Sequence, residues 1–541
     1  MIATRPDPLL SFWQAELQET PHLNMTMSTV LYGAARQWPE REALVCGDAS
    51  GLGVLRWTYQ ELDYKASKLA SGLLNSGYSP GDRIAVWGPN DPEWVLLEYA
   101  ISRAGMVIVT LNPLYKRLEL LFALQLAEVR GIFHAEEVGG VQLGDVVRSI
   151  ANELPNLLGI HSFTQGIVQM MEQAPAQFEC PEVNPNSLCM IQYTSGTTGN
   201  PKAAQISHNA IVTSALNSHR RYGVNTGDRV CHGFPLFHIG GSGCFTPGAA
   251  LIGATSLPLR IFKSDRALQI LEQERCRIFS GVPTMVIAML EDPSFEQRDL
   301  SALEVLVIGG APIQVEMLRE WERRFGVGVI NGYGQTETCG ATSGTCASDP
   351  AEKRAVTSGV AMSGVSIKLV DKIGTIVPHG VRGELCYQGP GRMIGYRALP
   401  FQSEAQEDDD WLHSGDLATM DSQGFITIVG RVKDMIIRGG ENLSPTEIEG
   451  LLLQHPAVSQ VAVVGLPDSK YGEEVCAAIK LAAGSTVSAE ELRTWCFERI
   501  SRWKVPRYIV FIESLPLTPS GKVRKFMLKD QLQKMLLPNL S

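Results

Sequence analysis

Short apolar runs of strand length, at 83–87, 106–111, 189–193, 305–308 and 327–330, alternate along this chain with amphipathic helical stretches. Repeated strand–helix alternation buries both kinds of element only when they are layered, so the pattern commits most of the chain to an α/β fold. In one unit the run 305–308 leads into Gly309-Gly310-Ala311, and Pro312 then opens a helical stretch to Phe325. Proline suits a first helical turn, and the glycines let a ligand approach backbone at that strand end. Further on, 367–370 and 383–387 read as strands with no helix between them, so the second half of the large domain is expected to be richer in β-structure.

At 541 residues the chain exceeds what one core accommodates, and a boundary is expected near Gly430. Residues 1–430 should form a large N-terminal domain of α/β sheets plus a β-rich subdomain, and 431–541 a small α+β domain. In that tail Ser444-Pro445-Thr446-Glu447 and Ser488-Ala489-Glu490-Glu491 read as capping boxes, and 458–464, 475–481 and 508–512 as strands. The acidic stretch 404–410 reads as a solvated loop.

Composition narrows the function classes. A net charge of -10 argues against a basic surface that tracks nucleic acid. Hydrophobic residues at 44 % and charged residues at 19 % describe an ordinary soluble globular protein. The 11 cysteines include no Cys-x-x-Cys pair, which predicts reduced thiols and no zinc site, with Cys339 as a packing residue. Residues 1–21 carry Asp7, Glu16 and Glu19 and resemble neither a signal nor a transit peptide. No apolar span of about 18 residues occurs, so a cytoplasmic location is expected, without a transmembrane segment and with any membrane contact peripheral.

Five segments carry the chemistry. Thr194-Ser195-Gly196-Thr197-Thr198-Gly199 and, three residues on, Lys202 combine hydroxyl donors, two permissive glycines and a cation in one loop after an apolar run. That is the composition of a phosphate grip, although the spacing is not that of a Walker A loop; a Ser/Thr/Gly surface loop is the plainer alternative. Asn331-Gly332-Tyr333-Gly334-Gln335-Thr336-Glu337 offers glycines for close approach to a base, Tyr333 to stack on it, Thr336 for a phosphate and Glu337 as a hard oxygen ligand for Mg²⁺; it also fits a tight turn. Asp416, after Ser414-Gly415, is an acceptor-only group able to take both hydroxyls of a ribose, with Arg431 within reach of the same sugar. Read alone, the two also fit a turn aspartate and a surface arginine. Lys522 ends the loop Pro516-Leu517-Thr518-Pro519-Ser520-Gly521, and Lys433 lies in the expected linker. His238 precedes Ile239 and the small residues Gly240 to Gly243, which leave room for a ligand; a core histidine is the plainer reading.

In this order the segments resemble the adenylate-forming superfamily of acyl-CoA synthetases, peptide-synthetase adenylation domains and firefly-type luciferases, over nearly the whole chain. The stretch from Gly430-Arg431-Val432-Lys433-Asp434 to Asn442, with Lys504-Val505-Pro506, is similar to the medium-chain acyl-CoA synthetase branch, the family member 2 type. The resemblance implies a two-step ligase of fatty acid metabolism. A carboxylate and MgATP give acyl-adenylate and pyrophosphate, and coenzyme A then takes the acyl group. Delivery to a carrier-protein phosphopantetheine in trans is the alternative acceptor, and a non-catalytic AMP-binding sensor a further one. By motif, Thr194 to Lys202 hold the β- and γ-phosphates, while Gly310-Ala311-Pro312 and Asn331 to Tyr333 embrace adenine. Thr336 meets the α-phosphate, Glu337 the metal and Asp416 the ribose, with Arg431 supporting the nucleotide. Lys522 bridges carboxylate and α-phosphate, and His238 lines the acyl end of the pocket. Lys433 is the hinge of a mobile small domain, whose rotation brings the segment around Gly440 towards the CoA tunnel. Ala203 stands where that family usually has glycine.

Overall fold

The computed structural model describes residues 9–15, 24–47, 54–175, 179–194, 201–310, 313, 315–397, 410–439, 441–517 and 523–536. Ser195, Gly196, Thr197, Thr198, Gly199, Ala311, Pro312, Gly440 and Lys522 therefore lie outside the described residues, as does most of the acidic stretch 404–410. Two compact units divide the chain. The larger comprises Trp13–Ile367 and Tyr387–Leu412, and the smaller Met1–Phe12, Lys368–Cys386 and His413–Ser541.

The larger unit is built on two sheets. In the nine-stranded one, Gly328–Tyr333, Val305–Gly309, Ile278–Gly281, Arg229–His232 and Thr255–Pro258 lie side by side and parallel. In the seven-stranded one, Leu188–Thr194, Val107–Leu111, Arg83–Trp87, Gly131–His134 and Gly159–Ser162 do the same. These strands are rich in apolar residues, and Ile84, Ala85, Val86, Trp87, Ile108 and Val109 are all buried, as parallel strands covered on both faces require. The expected α/β architecture is present, and the expected helix to Phe325 is found as Val315–Phe325.

A sheet ordered Phe12–Gln14, Ser366–Val370, Gly383–Gln388, Leu412–Met420 and Ile426–Arg431 is β-rich structure that the sequence reading assigns to the large domain, whereas the compact units group most of it with the tail. A second sheet, with Val458–Asp468, Gly472–Leu481 and Tyr508–Phe511 adjacent, carries the helices of the tail on a core of its own. The Ser488 capping box forms: its hydroxyl accepts from Glu491 N–H (3.2 Å), and Glu491 accepts from Ser488 N–H (2.7 Å). The one expected at Ser444 does not. Ser444 precedes the helix Pro445–Leu452 but donates its hydroxyl to the Val429 carbonyl (2.6 Å), while Glu447 pairs with Lys504. A tertiary acceptor and a cation outcompete the local cap. Among the described residues no helix is long and apolar enough to cross a membrane.

Candidate functional site

In the larger unit, the strands Leu188–Thr194 and Lys202–Ser207 form an antiparallel pair in which Thr194 faces Lys202. The two described ends of the expected phosphate loop therefore meet at its base. On its other side Lys202–Ser207 pairs with Gly395–Arg397, Ala204 opposite Tyr396. The Lys202 ammonium lies over the Tyr396 ring, 4.5 Å from its centre. The Tyr396 hydroxyl donates to Glu337 Oε1 at 2.6 Å. One tyrosine thus ties the candidate phosphate cation to the candidate metal ligand.

Glu337 sits in the 3₁₀ turn Thr336–Thr338, beyond the end of the strand Gly328–Tyr333, and its carbonyl accepts from Met393 N–H (2.9 Å). Among the described residues no cluster of three His, Cys, Asp or Glu side chains forms an all-protein cation cage. A single half-buried carboxylate is the donor set that suits Mg²⁺, which keeps several waters and takes its remaining ligands from substrate phosphates. Thr336 is buried beside it.

The parallel strands Val305–Gly309 and Gly328–Tyr333 end together, Gly309 opposite Gly332, with Gly310 at φ 83°. Carboxyl ends of parallel strands are where such sheets bind ligands. Asn331 is committed inward: its amide donates to the Thr357 carbonyl (3.0 Å), and its backbone N–H to Thr345 Oγ1 (2.9 Å). Gly332 and Tyr333 are half-buried, and Gln335 donates to the Tyr333 hydroxyl (3.2 Å). Gly334 is required by the protein itself, since a Cβ there would stand 2.2 Å from the Gly340 carbonyl carbon.

His238 opens a π-helix, Ile239–Phe245, and its Nδ1 accepts from Gly240 N–H (3.2 Å). Wide turns of this kind are rare and concentrate at functional sites. A Cβ on Gly241 would lie 2.4 Å from the Pro235 carbonyl oxygen, so the turn depends on glycine there. A Cβ on Gly340 would meet Cys244 Sγ at 2.9 Å and Ile239 Cγ2 at 3.4 Å, which puts the π-helix against the 338–341 segment. Cys339 is fully buried, and burial pushes its thiol well above the ordinary range, in keeping with a packing role.

In the smaller unit, Asp416 and Arg431 face each other across the antiparallel strands Leu412–Met420 and Ile426–Arg431, with Nε 3.0 Å from Oδ1. The Asp416 side chain is 5 % exposed and that of Arg431 56 %, so the arginine brings its charge to a sunken carboxylate from the solvent side. Lys433 is exposed in the 3₁₀ turn Val432–Asp434 that follows.

Tyr396 escaped the sequence reading. Its only local signal was a glycine–tyrosine pair after the glycines at 389 and 391.

Residues 31–397 match the family model described as AMP-binding enzyme, and 447–522 match that of the AMP-binding enzyme C-terminal domain. The chain is 34 % identical over 550 residues to the human mitochondrial medium-chain acyl-CoA ligase ACSF2, covering 95 % of this chain and 89 % of that one. An anthranilate CoA ligase, AuaEII, in complex with anthranoyl-AMP superposes with a TM-score of 0.86 at 25 % identity, covering 96 % of this chain and 100 % of that one. The o-succinylbenzoate CoA synthetase MenE of Bacillus subtilis, in complex with ATP and magnesium, gives 0.80 at 28 %, covering 93 % and 99 %.

Proposed function

The chain belongs to the AMP-binding enzyme family and is an AMP-forming acid–thiol ligase, an acyl-CoA synthetase, and we propose that its acid is a medium-chain fatty acid or a branched or aryl acid of similar size. The carboxylate attacks the α-phosphorus of ATP, expelling pyrophosphate and leaving acyl-adenylate. Coenzyme A thiolate then attacks the acyl carbon, forming the thioester and expelling AMP.

The observation that carries the residue assignment is Tyr396, which joins Lys202 to Glu337. In this reading Thr194, Lys202 and the intervening loop hold the β- and γ-phosphates. Gly310, Ala311, Pro312 and Asn331 to Tyr333 frame adenine, and Thr336 donates to the α-phosphate. Asp416 takes the ribose hydroxyls, Arg431 supports the nucleotide and His238 borders the acyl group. The site fits Mg²⁺ held by Glu337, which when bound supplies a counter-charge for the phosphate oxygens. Lys522 acts in adenylation, Lys433 is a hinge, and the segment around Gly440 serves the CoA step. Charge gathers on phosphate oxygens in a displacement that needs little covalent help, so fixed donors and cations lower its barrier.

The deciding experiment supplies linear acids from acetate to palmitate, with branched and aromatic acids, together with MgATP, and follows pyrophosphate and thioester with and without CoA. One acid class should give AMP and a CoA thioester. Pyrophosphate without thioester would move the acceptor to a carrier protein.

Tyr396→Phe keeps the ring beneath Lys202 and removes the donor to Glu337. A hydrogen bond to a charged group is worth about 1.5–3 kcal/mol, so KM for MgATP should rise about tenfold while KM for the acid stays unchanged. Steady-state kinetics in each substrate would show whether the hydroxyl matters.

A further inference from the structure

Asp416 follows a point of backbone freedom. Gly415 sits at φ 71°, and the pairing of Leu412–Met420 with Ile426–Arg431 has its last matched residues at Asp416 and Arg431, with a register shift just beyond, between Leu417 and Ala418. The pairing with Ile426–Arg431 therefore does not extend to residues 413–415, which belong to the same strand and have Gly383–Gln388 as their other neighbour in the sheet.

Glu384, on the neighbouring strand Gly383–Gln388, holds the start of Leu412–Met420 with both oxygens. Its Oε1 accepts from Gly415 N–H (3.1 Å), and its Oε2 accepts from His413 Nδ1 (3.0 Å). Ser414 Oγ, between them, accepts from Asp416 N–H (3.0 Å). The Cys386 sulfur backs the His413 ring, 3.6 Å from Nδ1. One carboxylate and one hydroxyl thus bear on residues 413 to 416, and Asp416 is the residue they lead into.

We propose that Glu384 is a positioning residue that sets the discrimination between ribose and deoxyribose nucleotides, by holding Asp416 where it meets the sugar hydroxyls. The proposal rests on the reading that Asp416 takes the ribose. A carboxylate accepting two hydroxyls requires its oxygens to be placed to a fraction of an ångström, and Glu384 fixes the strand on both sides of Ser414, including the positive-φ Gly415 directly before Asp416.

The test compares kcat/KM for ATP and for 2′-deoxy-ATP in acid-dependent adenylation, using the full chain. In wild type ATP should be preferred. Asp416→Asn should lose most of that preference; if it does not, the ribose reading fails and the proposal falls with it. Glu384→Ala should reduce the preference about tenfold, through a higher KM for ATP and with KM for the acid unmoved. Glu384→Gln retains an oxygen for Gly415 N–H and should recover most of the preference. Glu384→Asp draws the carboxylate back by one methylene and should behave as the alanine variant does, so a poorly folding alanine variant leaves the test intact. If Asp416→Asn loses the preference while Glu384→Ala and Glu384→Asp lower both nucleotides' rates equally, Glu384 is merely structural and the proposal is overturned.

Discussion

Lys522→Ala should lower acid-dependent ATP–pyrophosphate exchange by about 10²–10³-fold, the usual cost of removing one preorganised donor to transition-state charge. ATP binding should survive, because the phosphate, base and sugar contacts proposed above lie elsewhere. The second half-reaction, supplied with preformed acyl-adenylate and CoA, should also run near the wild-type rate. The structure frames the loop that carries this lysine. Leu517 and Val523 form an antiparallel bridge, and Arg524 N–H donates to the Pro516 carbonyl (2.8 Å), so the described residues on either side of 518–522 are held together directly before the helix Lys525–Leu536. The next lysines are engaged locally: Lys525 pairs with Glu449 (2.7 Å) and Lys529 with Glu473 (2.8 Å). Lys525→Ala is therefore the control, expected to leave exchange unchanged. An exchange rate within about twofold of wild type in Lys522→Ala, against the 10²–10³-fold loss expected, would remove Lys522 from the chemistry.

What could be read in advance follows from how locally each feature is encoded. The parallel strands were legible because burial on both faces keeps them rich in apolar residues; 189–193 and 305–308 grew by only a residue or two at their ends, to Leu188–Thr194 and Val305–Gly309. Thr194, Lys202, Asp416 and Arg431 were legible as motif residues, and the cross-strand registers Thr194–Lys202 and Asp416–Arg431 bring each pair together. Tyr396 and Glu384 were not legible. Their partners lie 59 and 31 residues away, and nothing in a run of sequence says which tyrosine or glutamate a sheet will carry to a given loop. The Ser444 cap failed for the same reason, since a tertiary carbonyl took its hydroxyl. Gly334 was read as a site of ligand approach, whereas backbone crowding at Gly340 explains that glycine without any ligand. The π-turn after His238 was invisible because it depends on a close approach to the Pro235 carbonyl, which composition does not announce.

The larger unit should lose stability steeply as pH falls below 6.5. His208 and His219 are buried, and desolvation depresses each to about 4 from an ordinary value of 6.5. His232, stacked on Phe245 and fully buried, is depressed further, to about 3, chiefly by the same cause. A folded value below the unfolded one means that the unfolded chain binds the extra proton. The stabilisation is therefore complete above pH 6.5 and is lost as pH falls towards the folded values. His161, also depressed to about 4 by burial, adds to this slope, and buried Glu98, pushed well above the ordinary carboxylate range by desolvation, runs against it. His134, also lowered by burial, adds to the slope, while Asp91 and Glu93, raised by burial, oppose it with Glu98, so His208, His219 and His232 set the leading effect of about three protons per unfolding event. At 1.36 kcal/mol per unit for each proton, the loss at pH 5 is on the order of 6 kcal/mol. That rivals the whole net stability of a typical domain, about 5–15 kcal/mol, and corresponds to a fall in Tm of roughly 10 °C or more. Thermal unfolding followed by circular dichroism from pH 7.5 to 5 would measure it. His232→Gln should flatten the slope by about one proton, and Glu98→Gln should steepen it. Parallel curves for both variants and wild type would mean that these buried groups do not govern acid unfolding.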